Sequence, residues 1–175
     1  MAVLFFIAIW TIYSVPMLLF PLKYEAYVYK YSEEFSLEPE LVFSVIRAES
    51  KFDKYAKSKK GAIGLMQLMY PTANDGAIYL AIDGFNEKML YDPEINIRIG
   101  SWYLNRLFRQ HGRFELVLAS YNAGGSKVRT WFSGVDYSEY STNEFLNHIP
   151  YPETRAFVRG VMNNYKMYHK RLKER

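Results

Sequence analysis

Cysteine is absent from these 175 residues, which excludes a disulfide framework, a thiol nucleophile and a thiolate metal site. Histidine is scarce: His111, His148 and His169 are scattered without ligand spacing, so no metal and no cofactor is expected, and surface or capping roles are left to them. Sustained apolar–polar alternation is missing, as is any repeat with a period of roughly 20 to 50 residues, and this points away from sheet-rich and solenoid architectures. The body of the chain also lacks net charge. The formal charge of +4 comes mostly from Lys166, Lys170, Arg171, Lys173 and Arg175, opposed there only by Glu174. A folded domain without a basic face of its own is poorly suited to neutralising phosphates, so nucleic acid is not an expected partner. The basic tail, residues 169–175, reads as a solvated helix end with enough charge for weak attraction to anionic lipid or wall polymers.

Charge is missing altogether from the first 22 residues. Met1 to Phe20 approaches the ~20 apolar residues that a membrane-spanning helix requires. A cleaved signal peptide shows a basic start and a small-residue cleavage site, and neither is visible. An uncleaved N-terminal anchor over residues 1–22 is therefore expected, placing the rest of the chain at the extracytoplasmic face of a cell membrane. Lys23 and Lys30 lie on the wrong flank for export by the positive-inside rule, although Glu25, Glu33 and Glu34 dilute them. The competing assignment is a buried helix of the globular domain, which Pro16 and Pro21 make less comfortable.

What is present is apolar and aromatic: 50% hydrophobic residues, with 16 tyrosines and 12 phenylalanines. That suffices for one core and is too little for two ordinary domains. Aromatic abundance suits a core and equally suits a groove that stacks against sugar rings. The apolar spacing predicts helices. Tyr24–Tyr31 forms one; a second begins near Glu38, with Ser36 as its cap, Pro39 in its first turn and Leu41, Val42, Val45 and Ile46 turned inward. Lys57-Ser-Lys-Lys60 followed by Gly61 reads as an exposed turn or short irregular hairpin. A helix restarts near Pro71 and stops at Asp83-Gly84. Asp92-Pro93 opens the clearest helix, with Gly112 as its stop. Phe114–Tyr121 and Ser126–Trp131 flank a break at Asn122-Ala-Gly-Gly125, and Pro150–His169 forms the last helix. The fold class is mainly α.

Glu49 ends the apolar run Leu41–Ala48 and faces the glycine-bearing segment that closes with Gly64-Leu-Met-Gln67. A carboxyl group at the edge of a hydrophobic core keeps its proton to higher pH and can act as a general acid.

Glu49-Ser50, Ser58, Gly61-Ala-Ile-Gly-Leu-Met-Gln-Leu-Met69, Tyr121-Asn-Ala-Gly124 and Glu153-Thr-Arg155 follow one another in an order that resembles the catalytic domain of bacterial lytic transglycosylases of the soluble, goose-lysozyme-like type. The resemblance spans residues 23–168. It implies a lysozyme-like fold with a groove for peptidoglycan glycan strands. It also implies cleavage of the β-1,4 bond between N-acetylmuramic acid and N-acetylglucosamine without water, leaving 1,6-anhydromuramic ends, by a protein expected to be a monomer. By the same resemblance Glu49 is the sole acid and base. Ser58 lies near it as a possible hydrogen-bond partner, Gly61 and Gly64 let backbone approach substrate, and Met66, Gln67 and Met69 line the groove. Tyr121 points its hydroxyl towards the acid, Asn122 shapes the turn beside it, and Glu153 contacts substrate while Arg155 pairs with it or with another acid. Phe157 departs from the pattern: many family members have tyrosine there, so the ring is kept and a hydroxyl lost. Two other readings remain, a hydrolytic goose-type muramidase using Asp53 or Asp75 to activate water and a non-catalytic wall-binding protein.

Overall fold

A computed structural model describes residues 18–174 of the chain. Most of the expected anchor, residues 1–17, lies outside the described residues; among those described, no helix is long and apolar enough to cross a membrane. The fold is mainly helical, as expected, with only isolated β-bridges, Lys57 to Ile63 and Ile63 to Leu68, among the described residues.

Helix α1 (Glu25–Glu34) leads into α2 (Pro39–Ser50), whose Pro39 occupies the first turn. The N-cap of α2 is Glu38, in extended backbone. The expected cap Ser36 instead adopts φ +51 in the turn that leaves α1, so its hydroxyl does not cap α2. Leu41 through Ile46 are all buried. A helix apolar on every side belongs in the middle of a core, and α2 packs most extensively against the final helix.

An irregular ribbon connects α2 to α3 (Tyr70–Tyr79). A 3₁₀ turn at Glu87–Tyr91, not foreseen from the sequence, is capped by Asn86 and precedes α4 (Pro93–His111). As expected, the Asp92 side chain caps α4 by accepting the Ile95 N–H, and Gly112 stops it at φ +68. Helix α5 (Phe114–Ala123) buries every residue from Glu115 to Ser120, making it the second all-round buried helix. Helix α6 (Gly125–Trp131) follows after Gly124 at φ +90. The short α7 (Thr142–His148) was also missed from the sequence; it carries a capping box between Ser141 and Glu144. Its period is too short to register, but the Ser-x-x-Glu spacing was there to be read.

Helix α8 (Pro152–Lys173) runs without a break through the basic tail. Its end is tied down: Tyr168 donates to the Pro21 carbonyl, Arg171 to the Phe20 carbonyl, and His169 meets Glu40. The tail is thus the last turn of the longest helix. Both all-buried helices, α2 and α5, pack on α8. Their C-terminal ends carry Glu49 and Tyr121, and this arrangement positions the site.

Candidate active site

Glu49 sits in the last turn of α2, partly buried. Directly beyond Ser50 the chain reverses through two left-handed residues, Lys51 at φ +52 and Phe52 at φ +66. Phe52 is buried, so the reversal is fixed by core packing. The Glu49 carboxyl has no hydrogen-bond donor among the described residues. Burial pushes its pKa from the usual carboxylate value up to about 8, and the Glu153 carboxylate adds to the rise. The C-terminal end of a helix, where carbonyl oxygens point outward, is itself unfavourable for a negative charge. The carboxyl therefore holds its proton through neutral pH, the state a general acid needs.

The Ile63–Gln67 turn is built against this acid and held from three helices. From α2, Ser50 donates its hydroxyl to the Leu65 carbonyl at 2.8 Å. From α4, the fully buried Asn96 accepts the Met66 N–H at 2.8 Å and donates to the carbonyls of Ile63, 3.0 Å, and Leu90, 2.8 Å. From α5, the Tyr121 hydroxyl donates to the Met66 carbonyl at 2.7 Å. The side-chain polar groups that Ser50, Asn96 and Tyr121 bring to this junction all have partners, which holds the turn in place. Gly64 is required for a packing reason: at φ +79, a Cβ there would lie 2.2 Å from the Asn96 amide nitrogen and 2.3 Å from the Leu90 carbonyl oxygen. Neither Ser50 nor Asn96 was assigned a role from the sequence. An asparagine on the apolar side of a helix, three residues past its proline, was the signal available for Asn96.

Several expectations are corrected. The Met66 side chain is wholly buried, packed where Gly100 of α4 leaves room for its sulfur, so it lines no groove; its backbone alone serves the site. Gly64 is likewise buried against Asn96 instead of exposing backbone to a ligand. The Ser58 hydroxyl accepts the Ala62 N–H at 3.0 Å and closes its own turn, making no bond to Glu49. Gly61 completes that turn at φ +87, with open space around it. Arg155 donates to the Ile149 carbonyl and does not pair with Glu153. Glu153 meets Lys60 instead, at 3.6 Å.

Other residues come together. Burial holds the Tyr121 phenol well above its ordinary pKa, and the Glu49 carboxylate, near enough to act on it, adds to the rise. The Tyr121 hydroxyl proton is committed to the Met66 carbonyl. The Tyr121 ring is parallel to that of Phe157 at 6.4 Å between centroids, with Tyr103 on another side at 5.4 Å. Asn122 accepts the Thr154 hydroxyl at 2.9 Å and joins α5 to the start of α8, beside Glu153. Gln67, at φ +47, spends its amide N–H groups on the carbonyls of Ala56 and Gly64, leaving its amide oxygen as the group it can offer a ligand. Met69 is exposed. Asp53 caps the Tyr55 N–H, while Asp75 lines a concavity of about 530 Å³ with Tyr79, Trp102 and Arg106, away from Glu49.

The family model "Transglycosylase SLT domain" matches residues 26–143. The soluble lytic murein transglycosylase of Escherichia coli K12 is 35% identical over 145 residues, covering 82% of this chain and 22% of that protein. The membrane-bound lytic murein transglycosylase C of Edwardsiella ictaluri is 28% identical, covering 91% of this chain and 52% of the relative. Among solved structures, an inactive Glu-to-Gln mutant of lytic transglycosylase Slt from Pseudomonas aeruginosa superimposes with a TM-score of 0.82 at 32% identity, over 88% of this chain and 25% of that one. The E. coli 70-kDa soluble enzyme, also solved with bulgecin A, gives a TM-score of 0.81 at 34% identity, over 87% of this chain and 25% of that one. The chain thus spans about a quarter of the length of these soluble relatives.

Proposed function

Because the chain belongs to the transglycosylase SLT-domain family, we propose that it is a peptidoglycan lytic transglycosylase with Glu49 as its single acid and base. What carries the reading is a partly buried carboxyl whose surroundings favour its protonated form, with no carboxylate among the described residues placed to activate water. Of the acids considered for that task, Asp53 caps a turn and Asp75 faces another concavity. Glu153, the one carboxylate that acts on Glu49, is exposed and joined to Lys60. Hydrolysis by paired carboxyls needs the second group within working distance of the sugar.

Protonated Glu49 donates to the bridging oxygen as the bond from the muramic C1 to that oxygen breaks. The muramic C6 hydroxyl oxygen then bonds to C1, and its proton passes to the Glu49 carboxylate, restoring the acid. The nucleophile is tethered to the electrophile, so its effective concentration reaches on the order of 10⁵ M in well-oriented cases, enough to replace water. The acetamido group of the same sugar is able to assist. In this reading Gln67 offers its amide oxygen, Met69 an adaptable apolar wall, Ser58 and Gly64 the ordered backbone behind them, and Tyr121, Asn122, Glu153 and Phe157 the opposite side. Residues 1–22 anchor the domain, residues 23–168, at the extracytoplasmic face of the membrane, and it acts there as a monomer. The membrane-bound relative supports the anchoring.

Purified sacculi digested with the native chain should release 1,6-anhydromuropeptides by mass spectrometry, and Glu49→Gln should release none while remaining folded. Reducing ends in place of anhydro ends would replace transglycosylation by hydrolysis. Undiminished product from the variant would remove Glu49 from the chemistry.

A further inference from the structure

The neutrality of the chain body conceals an uneven distribution. Residues 51–60, directly after the candidate acid, hold Lys51, Lys54, Lys57, Lys59 and Lys60 against Asp53 alone, so the remainder of the body is net negative by the same amount. All five lysines are wholly or partly exposed. The turn that presents them is ordered: Ser58 N–H donates to the Ala62 carbonyl at 2.9 Å, Gly61 N–H to the Ser58 carbonyl at 3.0 Å, and Ala62 N–H to the Ser58 hydroxyl. Lys57 is fastened to Glu87 at 2.9 Å. Lys60 reaches only loosely, at 3.6 Å, to Glu153, the carboxylate that acts on Glu49. Lys59 has no carboxylate at salt-bridge distance among the described residues. Both partners of the Lys60–Glu153 pair are about four-fifths exposed, so the pair adds little to folding and is readily exchanged for another anion.

Crowding five like charges beside one site costs stability unless something anionic is met there. A peptidoglycan strand carries uncharged N-acetylglucosamine rings and places its fixed negative charges on the peptide stems. We propose that the Lys51–Lys60 turn, through Lys59 and Lys60 above all, binds stem-peptide carboxylates and makes this site select stem-bearing strands over uncharged ones. The proposal rests on the peptidoglycan reading of the Glu49 site. The turn adjoins the acid, so the anions it meets are those of the strand in the cleft, which favours stems over separate phosphate polymers.

The test is equilibrium binding of soluble glycan strands to full-length protein carrying Glu49→Gln, so that the result does not depend on turnover. Strands with free stem carboxylates are compared with the same strands amidated chemically. Adding Lys59→Gln and Lys60→Gln should raise Kd for the free-carboxyl strands about three- to tenfold at low salt and leave the amidated strands unaffected. Raising salt from about 20 to about 300 mM should erase the difference. Equal affinity for both strands before substitution, or equal weakening of both after it, would overturn the proposal. So would displacement by a glycerol-phosphate polymer combined with indifference to amidation, which would make the turn a phosphate-polymer site. Failure of the native chain to yield anhydromuropeptides would bear on the catalytic reading and leave this binding result to be judged separately.

Discussion

A carboxyl that holds its proton to about pH 8 has consequences for rate and for stability that can be separated. For rate, the limb of the kcat/KM profile that requires protonated Glu49 should fall as pH rises through about 8. A profile falling instead near the ordinary carboxylate value would contradict the buried acid. For stability, the unfolded chain releases the Glu49 proton near 4.5 while the folded chain keeps it to about 8. Between those values the folded state binds more protons, so stability falls as pH rises through the window. Glu49→Gln has nothing to ionise. It should match the native protein near pH 4 and exceed it by roughly 4–5 kcal/mol well above pH 8, as read from urea denaturation across pH. A constant offset would point to packing changes alone. The residue that confers the proposed activity is thus one the fold tolerates at a cost.

At the scale of elements, α2, α4 and α5 converge on one five-residue turn through Ser50, Asn96 and Tyr121. Asn96 carries the largest share, because its loss orphans the Met66 N–H and exposes the Ile63 and Leu90 carbonyls to an apolar surround. Asn96→Ala should cost about 3–5 kcal/mol in urea denaturation. Gly64→Ala should cost about 3 kcal/mol or more, through a strained φ and collision with Asn96. The two should not add, since removing the asparagine side chain relieves part of the collision. The Leu90 carbonyl still opposes the new methyl, so the double variant does not return to native stability. Strict additivity would show that the two residues do not meet.

For the whole molecule, two apolar helices are buried against one long amphipathic helix, and their ends define the site; α8 continues to Lys173 and fastens the segment entering from Phe20 and Pro21. The hydrogen bonds that fasten α8 to Phe20 and Pro21 are made outside residues 1–17. A chain lacking those residues should move from the membrane to the soluble fraction and cleave soluble strands with unchanged kcat/KM. Retention on membranes would transfer the anchoring to the basic end of α8, and loss of activity in a folded sample would give the apolar segment a part in the site.

The sequence by itself determined the mainly helical class, the opening and closing of α4 by Asp92 and Gly112, and the delivery of Glu49 at the end of an apolar helix. Local propensity, capping and hydrophobic spacing act over a few residues and are written in the chain. It did not disclose the 3₁₀ turn, the short α7 or the Ser50–Asn96–Tyr121 junction. Asn96 bonds partners up to 33 residues away, and Tyr121 a carbonyl 55 residues away. Such pairings leave no periodic trace. The same distinction explains why Met66, Gly64 and Ser58 changed roles. Motif spacing places residues beside one another along the chain, but only the packed core decides which side chains face inward, which backbone atoms they satisfy and which remain exposed.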